Sequence, residues 1–265
     1  LIGRQVASFF DGAVAWLSYA DRLYQLPLGV VGIAIGVVLL PDLSRRLGAG
    51  DTAGGRDAFN RAAEISLALT IPAAVALVAI PLTLISVLFQ RGEFGPDDTA
   101  ATALALAVYG LGLPAFVLQK ALQPLFFARE NTRTPFYYAL GSLAVNAVVA
   151  IGLAPFIGYI AAALGTTLAG WSMVLQLWLG SRRYGEAVLL DERFKRRIWR
   201  IIVAALLMGV VLWVGNLLLG PLLAAGAWRY LALALLVTIG IVSYFALAHW
   251  MGGLPLKDIR RSLRR

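Results

Sequence analysis

The sequence predicts an all-α, polytopic transmembrane helical bundle of about seven complete spans plus one truncated N-terminal helix. Three observations predict it. Of the 265 residues, 60% are apolar and only 14% are charged, against roughly 45–50% and about 25% in ordinary soluble domains. The mean hydropathy is +0.80. Apolar runs of about 20 residues, long enough to cross a bilayer as helices, recur along the chain between charged borders. A soluble globule of this size has too little interior to hide that much apolar surface.

In chain order, residues 1–11 read as the end of a helix that begins upstream. The chain starts at Leu1 without a basic leader and cleavage site, so the expectation is a segment of a longer protein. Residues 13–41 predict a long span, followed by a glycine-rich loop holding Arg45, Arg46, Gly48, Gly50, Gly54 and Gly55. The next span, about 63–89, closes on Arg91-Gly92-Glu93-Phe94-Gly95-Pro96-Asp97-Asp98. Spans at about 99–127 and 135–154 flank Arg129 to Arg133, and a tight turn at Pro155 and Gly158 leads into a span at about 159–180. Two last spans, about 201–219 and 230–250, precede a basic tail. The charged stretch 182–200 is the best domain boundary, dividing residues 1–181 from a final hairpin and tail at 201–265. Within it, Ala187 to Arg200 predict a short interfacial helix with Val188, Leu189, Phe194, Ile198 and Trp199 towards lipid.

The loops alternate in charge. Basic residues number four at 43–62, one (Arg91) in the next loop, two at Arg129 and Arg133, and none at 155–158. Seven follow at 182–200, one (Arg229) before the last span, and five in the tail. This places 18 on one side and two on the other. By the positive-inside rule the rich side is cytoplasmic, which puts the C-terminus inside. The net charge of +9 therefore reads as loops facing anionic lipid rather than as a nucleic-acid surface.

Several chemistries are excluded. With no cysteine and a single histidine, His249, there is no disulfide, no thiolate metal site and no Ser-His-Asp triad. The phosphate-binding Gly-x-x-x-x-Gly-Lys loop is absent. No carboxylate pair is visible for hydrolysis, because the acids cluster at loops and span ends apart from Asp21. The chain reads as a non-enzyme.

The informative residues are those that break the membrane rule. Arg22 sits about nine residues into its span, roughly 13 Å deep at 1.5 Å per residue. A charge at that depth costs at least about 2.5–3.5 kcal/mol unless it faces a cavity, the bundle interior or a partner charge. One reading is an anion-binding fork for phosphate or pyrophosphate oxygens; the other is a structural ion pair between helices. Asp21, Tyr19 and Gln25 add polarity, and Pro27 predicts a kink. Lys120 lies near the inner end of its span, where snorkelling accounts for it at low cost. Arg4 is in too short a run to interpret, and His249 reads as interfacial. Asn146 and Thr166 are lone polar residues in separate spans, suited to interhelical hydrogen bonding. Glycines 29, 32 and 36 suit close helix approach. Pro72, Pro81, Pro114 and Pro124 fall inside spans and predict bends that suit a protein rocking between two states.

The stretch Tyr19-Ala20-Asp21-Arg22-Leu23, then Pro27, Gly29, Gly32, Gly36 and Leu40-Pro41-Asp42-Leu43-Ser44, closely resembles the MurJ (MviN) lipid II flippases. These belong to the multidrug/oligosaccharidyl-lipid/polysaccharide exporter superfamily. Leu88-Phe89-Gln90-Arg91-Gly92-Glu93-Phe94, and Lys120 through Pro124 followed by Arg129 to Pro135, agree with the same pattern. The resemblance implies two helical lobes around a central cavity and a last hairpin that grooves the lipid tail. On that reading residues 1–181 are the second lobe, 182–200 a basic cytoplasmic connector, and 201–265 the hairpin and tail. The implied activity is movement of lipid II, the undecaprenyl-pyrophosphate-linked peptidoglycan precursor, across the bacterial cytoplasmic (inner) membrane by alternating access. No cofactor is implied; coupling is to membrane potential or ions such as Na+ rather than ATP. Arg22 falls on the family's cavity arginine, and Asp21, Gln25 and Lys120 complete the candidate substrate-binding set. Asn146 and Thr166 match two candidate ion ligands. The chain departs from some relatives at Gln25 and Ala150, where those carry acids. Expected partners are lipid II, membrane lipids and other cell-wall synthesis proteins. Two rival readings are an exporter of another lipid-linked oligosaccharide or drug, and a scaffold recruiting cell-wall enzymes through basic loops.

Overall fold

The computed structural model describes residues 2–188, 190–224, 226 and 228–253; side chains at 2, 33–40 and 186–188 fall outside that description. The expectations for Gly36, Val188, Leu189 and the basic tail therefore lie outside the described residues. Among the described residues the secondary structure is entirely helical. The α-helices are α1 (Ile2–Ala7), α2 (Ala13–Gly48), α3 (Thr52–Ala79), α4 (Pro81–Phe89) and α5 (Pro96–Phe127). They continue with α6 (Arg133–Ile157), α7 (Ile160–Ser181), α8 (Glu192–Leu218), α9 (Gly220–Leu223) and α10 (Trp228–Trp250). Among the described residues six of them (α3, α5, α6, α7, α8 and α10) are long and apolar enough to cross a membrane. The remaining expected span, at 13–41, falls within the 36-residue α2, which is not one of these six.

Four boundaries differ from the sequence reading, each for a local physical reason. The glycine-rich loop is mostly helix: α2 runs on to Gly48 and α3 starts at Thr52, leaving a turn at 49–51. Helix continues there because charges pair one turn apart, Arg45 and Arg46 on Asp42 and Arg61 on Asp57. The Asp51 carboxylate then accepts from the Gly54 amide as an N-cap. Pro27 lies inside α2, which runs on through it as one helix. Pro81 does not merely bend the span at 63–89. It ends one helix and opens another, because it lacks the amide proton that would continue α3, whereas that loss costs nothing in the first turn of α4. The predicted interfacial helix does not stand apart either: residues from Glu192 onward form one helix with the following span, capped by Asp191 accepting from the Phe194 amide. Phe194 is buried against Ala63 and Leu67 instead of facing lipid, while Trp199 stays exposed.

The loops segregate to two ends of the bundle. At one end the Trp16 indole donates to Asp98 at 2.7 Å and packs on the Tyr159 ring, and Arg229 reaches the Gln90 carbonyl. At the other end Asn131 donates to the Tyr184 hydroxyl, Arg183 to Thr134, and the Asp191 amide to Asn60. These are the basic-poor and basic-rich ends respectively, so the spans alternate in direction as the charge count requires.

Helices α2, α3, α5 and α7 share the main apolar core, with Ala20, Leu77, Leu106, Leu113 and Ala163 among its buried members. The hairpin α8–α10 docks on α3 through a separate cluster that includes Ala68, Ala204, Met208, Leu212 and Tyr244. The Tyr244 hydroxyl donates to the Ala68 carbonyl at 2.6 Å. Nearer the basic-rich end, buried Glu64 on α3 pairs with Arg197 on α8 at 2.6 Å, and Arg193 approaches its other oxygen at 3.7 Å.

Helices α6 and α7 approach closely at Gly165, where an added Cβ would lie 2.9 Å from the Asn146 carbonyl oxygen. That partner is backbone and cannot turn aside. Gly165→Ala is expected to push the two helices apart and cost roughly 1–3 kcal/mol, read as a lowered melting temperature of the full-length protein in detergent. The same substitution at Gly152, which meets nothing within 4 Å, is the control expected to leave melting unchanged.

Candidate functional site

The polar residues of α2 divide between two faces because helical neighbours point about 100° apart. Arg22 is exposed, and its guanidinium lies 5.9 Å from the centre of the Tyr19 ring. Tyr19 in turn packs on Phe89 at 4.9 Å and on Phe94 at 5.2 Å. Two motifs separated by some seventy residues in the chain thus meet in space, and the second fixes the ring beside the arginine. Gln25, Leu26 and Val30 continue the exposed stripe of α2.

Lys120 is also exposed and crosses from α5 onto α2. A Cβ on Gly32 would fall 2.7 Å from its Nζ, so the glycine makes room for a lysine side chain. The expected close helix approach at Gly29 and Gly32 is therefore not what these residues do. A Cβ on Gly29 would meet nothing within 4 Å, and the three atoms nearest a Cβ on Gly32 all belong to the Lys120 side chain.

Asp21 points elsewhere, into a groove of about 420 Å³ bounded by α1, α2, α5, α6 and α7. Arg4, Ser18, Tyr109, Gln119, Ser142, Asn146 and Thr166 supply its other polar side chains. The Gln25 amide donates to the Asp21 carboxylate at 2.6 Å, and the charge of Arg4 acts on Asp21 across the groove. The Asn146 amide faces the Thr166 hydroxyl at 3.4 Å, a long contact. The walls are held by side chains bonded to backbone: Gln119 donates to the Gly170 carbonyl at 2.9 Å, and Thr167 to that of Val108 at 2.8 Å. Ala150 is fully buried and its methyl sits against Gly165, so this wall offers no carboxylate. Among the described residues no three His, Asp or Glu side chains are grouped to hold a metal.

The structure thus brings Asp21, Asn146 and Thr166 to one groove and ties Gln25 to it by one hydrogen bond. Arg22 and Lys120 do not line that groove; they stand on the neighbouring open face. The single cavity shared by Arg22 and Asp21 in the sequence reading becomes two adjoining environments, because the pair are consecutive on a helix. Sequence reasoning missed Arg4, Gln119 and Ser142. Arg4 carried a usable signal, a charge inside an apolar run, but its segment is too short to assign a depth. Gln119 and Ser142 are single polar residues whose facing depends on helix rotation.

The family model for the lipid II flippase MurJ matches residues 1–247. The chain belongs to this family. It is 41% identical over 268 residues to a probable lipid II flippase MurJ of Rhizobium tropici, covering all of this chain and 50% of that relative. It is 44% identical over 273 residues to the probable lipid II flippase MurJ of Rhizobium meliloti (strain 1021), again covering all of this chain and 50% of the relative. A solved structure of lipid II flippase MurJ in an inward closed conformation superimposes with a TM-score of 0.77 at 26% identity, covering 100% of this chain and 51% of that one. The chain spans about half the length of the curated relatives it matches. Membership agrees with the helical, multi-pass architecture and with the motifs around Arg22.

Proposed function

We propose that this chain is the second half of a lipid II flippase, which moves the undecaprenyl-pyrophosphate-linked precursor across the bacterial cytoplasmic membrane by alternating access. The observation that carries the reading is the exposed Arg22 guanidinium on α2, about nine residues into an apolar span. An exposed charge at that depth is tolerated when the face lines a water-filled cavity. The rest of the protein would close that cavity, and a guanidinium there suits the bidentate geometry of pyrophosphate oxygens. Lys120, reaching from α5 across Gly32 of α2, offers a second point charge. Asp21 and Gln25 hold the adjoining face.

The apolar, largely exposed surface of α8 and α10, with Leu207, Val210, Trp213 and Leu235, is the proposed cradle for the polyprenyl tail. Residues 1–181 then form the lobe, 182–200 the connector and 201–265 the hairpin and tail, with the basic-rich end and the C-terminus in the cytoplasm. Transport is the work of binding and conformational change, without a catalytic step. Coupling falls to membrane potential or ions, with Asn146 and Thr166 as candidate ligands in the groove.

The test is complementation. The full-length coding sequence is expressed in cells depleted of their own flippase, and lipid II accessible at the outer face is measured. Restored growth together with restored outer lipid II is expected. Growth without outer lipid II would favour an exporter of another lipid-linked sugar. Protein present in the membrane with neither effect would end the flippase reading.

A further inference from the structure

The two loop arginines of the basic-poor end, Arg91 and Arg229, converge. Arg229 donates to the Tyr230 hydroxyl at 2.9 Å while its guanidinium stacks 4.9 Å from the same ring, and the positive charge of Arg91 acts on the same tyrosine. Beside them lies a pocket of about 500 Å³ between α4 and the hairpin. Its polar lining is Thr83, Ser86, Gln90, Asn216 and Arg229, and none of its lining residues is acidic.

The hydroxyls of Thr83 and Ser86 donate within the pocket wall, but its nitrogen donors are not used up. Arg229 makes a long bond of 3.4 Å to the Gln90 carbonyl, and its Nε is buried with no hydrogen-bond partner. The Thr83 hydroxyl donates to Asn216 Oδ1 at 2.5 Å, which joins α4 to α8 and leaves the Asn216 amide protons uncommitted. A partly buried guanidinium whose Nε has no acceptor, and whose Nη atoms each have a second proton, suits an anion that takes two oxygens to one fork. Immediately outside the pocket Leu217, Leu218 and Leu222 are exposed, so an occupant with an apolar tail would lie along the hairpin while its head group entered.

We propose that the pocket formed by Thr83, Ser86, Gln90, Asn216 and Arg229 binds a phosphate oxyanion at the basic-poor end of the bundle, with Arg229 as its principal ligand. A tetrahedral phosphate fits the donor set, which offers Arg229 Nε and the amides of Gln90 and Asn216; the Ser86 hydroxyl, which donates to the Thr83 carbonyl at 3.2 Å, lines the pocket beside them. The site lies at the opposite end of the bundle from most of the basic residues and is separate from the Arg22 face. It does not depend on what the protein transports.

The experiment uses the full-length protein with a photo-crosslinking amino acid in place of Leu223, which lines the pocket. The protein is reconstituted in phosphatidylcholine vesicles doped with radiolabelled phosphatidylglycerol or radiolabelled undecaprenyl phosphate, with labelled phosphatidylcholine as the neutral comparison. Capture of the anionic lipids is expected, falling about ten-fold in Arg229→Gln and less in Arg229→Lys. Capture of phosphatidylglycerol assigns an ordinary lipid head group as the source, and capture of undecaprenyl phosphate alone assigns the polyprenyl carrier. Loss of lipid capture on adding millimolar inorganic phosphate assigns the free ion. Equal capture of phosphatidylcholine, or full capture in a folded Arg229→Gln variant, overturns the proposal. If Arg229→Gln fails to fold, Ser86→Leu fills the pocket from α4 without removing charge. It must then give the same loss, and undiminished capture in that variant overturns the proposal equally.

Discussion

Arg22→Ala in the full-length protein is expected to abolish growth of cells that depend on it as their flippase, at wild-type levels in the membrane. The guanidinium is exposed, with Tyr19 beside it held by Phe89 and Phe94. Its removal therefore leaves no cavity in the core and no orphaned acid, since the carboxylate of Asp21 is already bonded to Gln25. Loss of fold is thus not the expected outcome, and an unchanged melting temperature should accompany the loss of growth. A charge-assisted bond contributes roughly 1.5–3 kcal/mol, which corresponds to about a ten- to hundred-fold weaker hold on a pyrophosphate. Arg22→Lys keeps the charge and loses the fork, so partial function is expected. Growth of Arg22→Ala cells at the wild-type rate would remove this residue from the mechanism. Asp21→Asn is the informative neighbour: it faces the groove with Arg4 rather than the open face, so its phenotype should separate from that of Arg22.

The largest stability effect is expected at Glu64. It is 5% exposed and lies opposite Arg197 at 2.6 Å, with Arg193 next to it. Removing the acid of a buried pair takes away the charge that faces Arg197 at 2.6 Å and Arg193 at 3.7 Å, a change that typically costs roughly 3–5 kcal/mol. Glu64→Ala is therefore expected to lower the melting temperature of the full-length protein more than any exposed substitution. It should also loosen the hairpin, because the pair joins α3 to α8. Protease susceptibility near residues 182–200 is the direct reading of that loosening. The double change Glu64→Met with Arg197→Met replaces the pair by apolar contact and should recover most of the stability. A Glu64→Ala protein that melts like wild type would show that the apolar cluster around Ala68 and Leu212 alone holds the hairpin.

How much was legible in the sequence follows from what each signal encodes. Span positions came through because lipid imposes a length and an apolar content on each helix. The two ends of the bundle came through because loop charge alternates. Arg22 stood out because a charge at that depth is costly wherever it points. The helix boundaries near 43–62 did not come through, since hydropathy records polarity and the turn-by-turn pairing of Arg45, Arg46 and Arg61 makes polar helix. Pro81 was misread because a proline in an apolar run looks the same whether it bends a helix or opens a new one.

By itself the sequence determined a multi-pass helical membrane protein, its alternation of direction, and the chemical outliers on α2. Only the tertiary structure decided which of those outliers share a space. It separated Arg22 from Asp21, joined Asp21 to Arg4, Asn146 and Thr166, and paired Glu64 with Arg197 across 133 positions of chain. It also set Arg229 against the Tyr230 hydroxyl and the Gln90 carbonyl, across 139 positions of chain. The reason is that a membrane helix is apolar nearly all round. The composition of such a helix states how deep a residue lies, while its rotation against neighbouring helices, which decides what the residue meets, is set by packing alone.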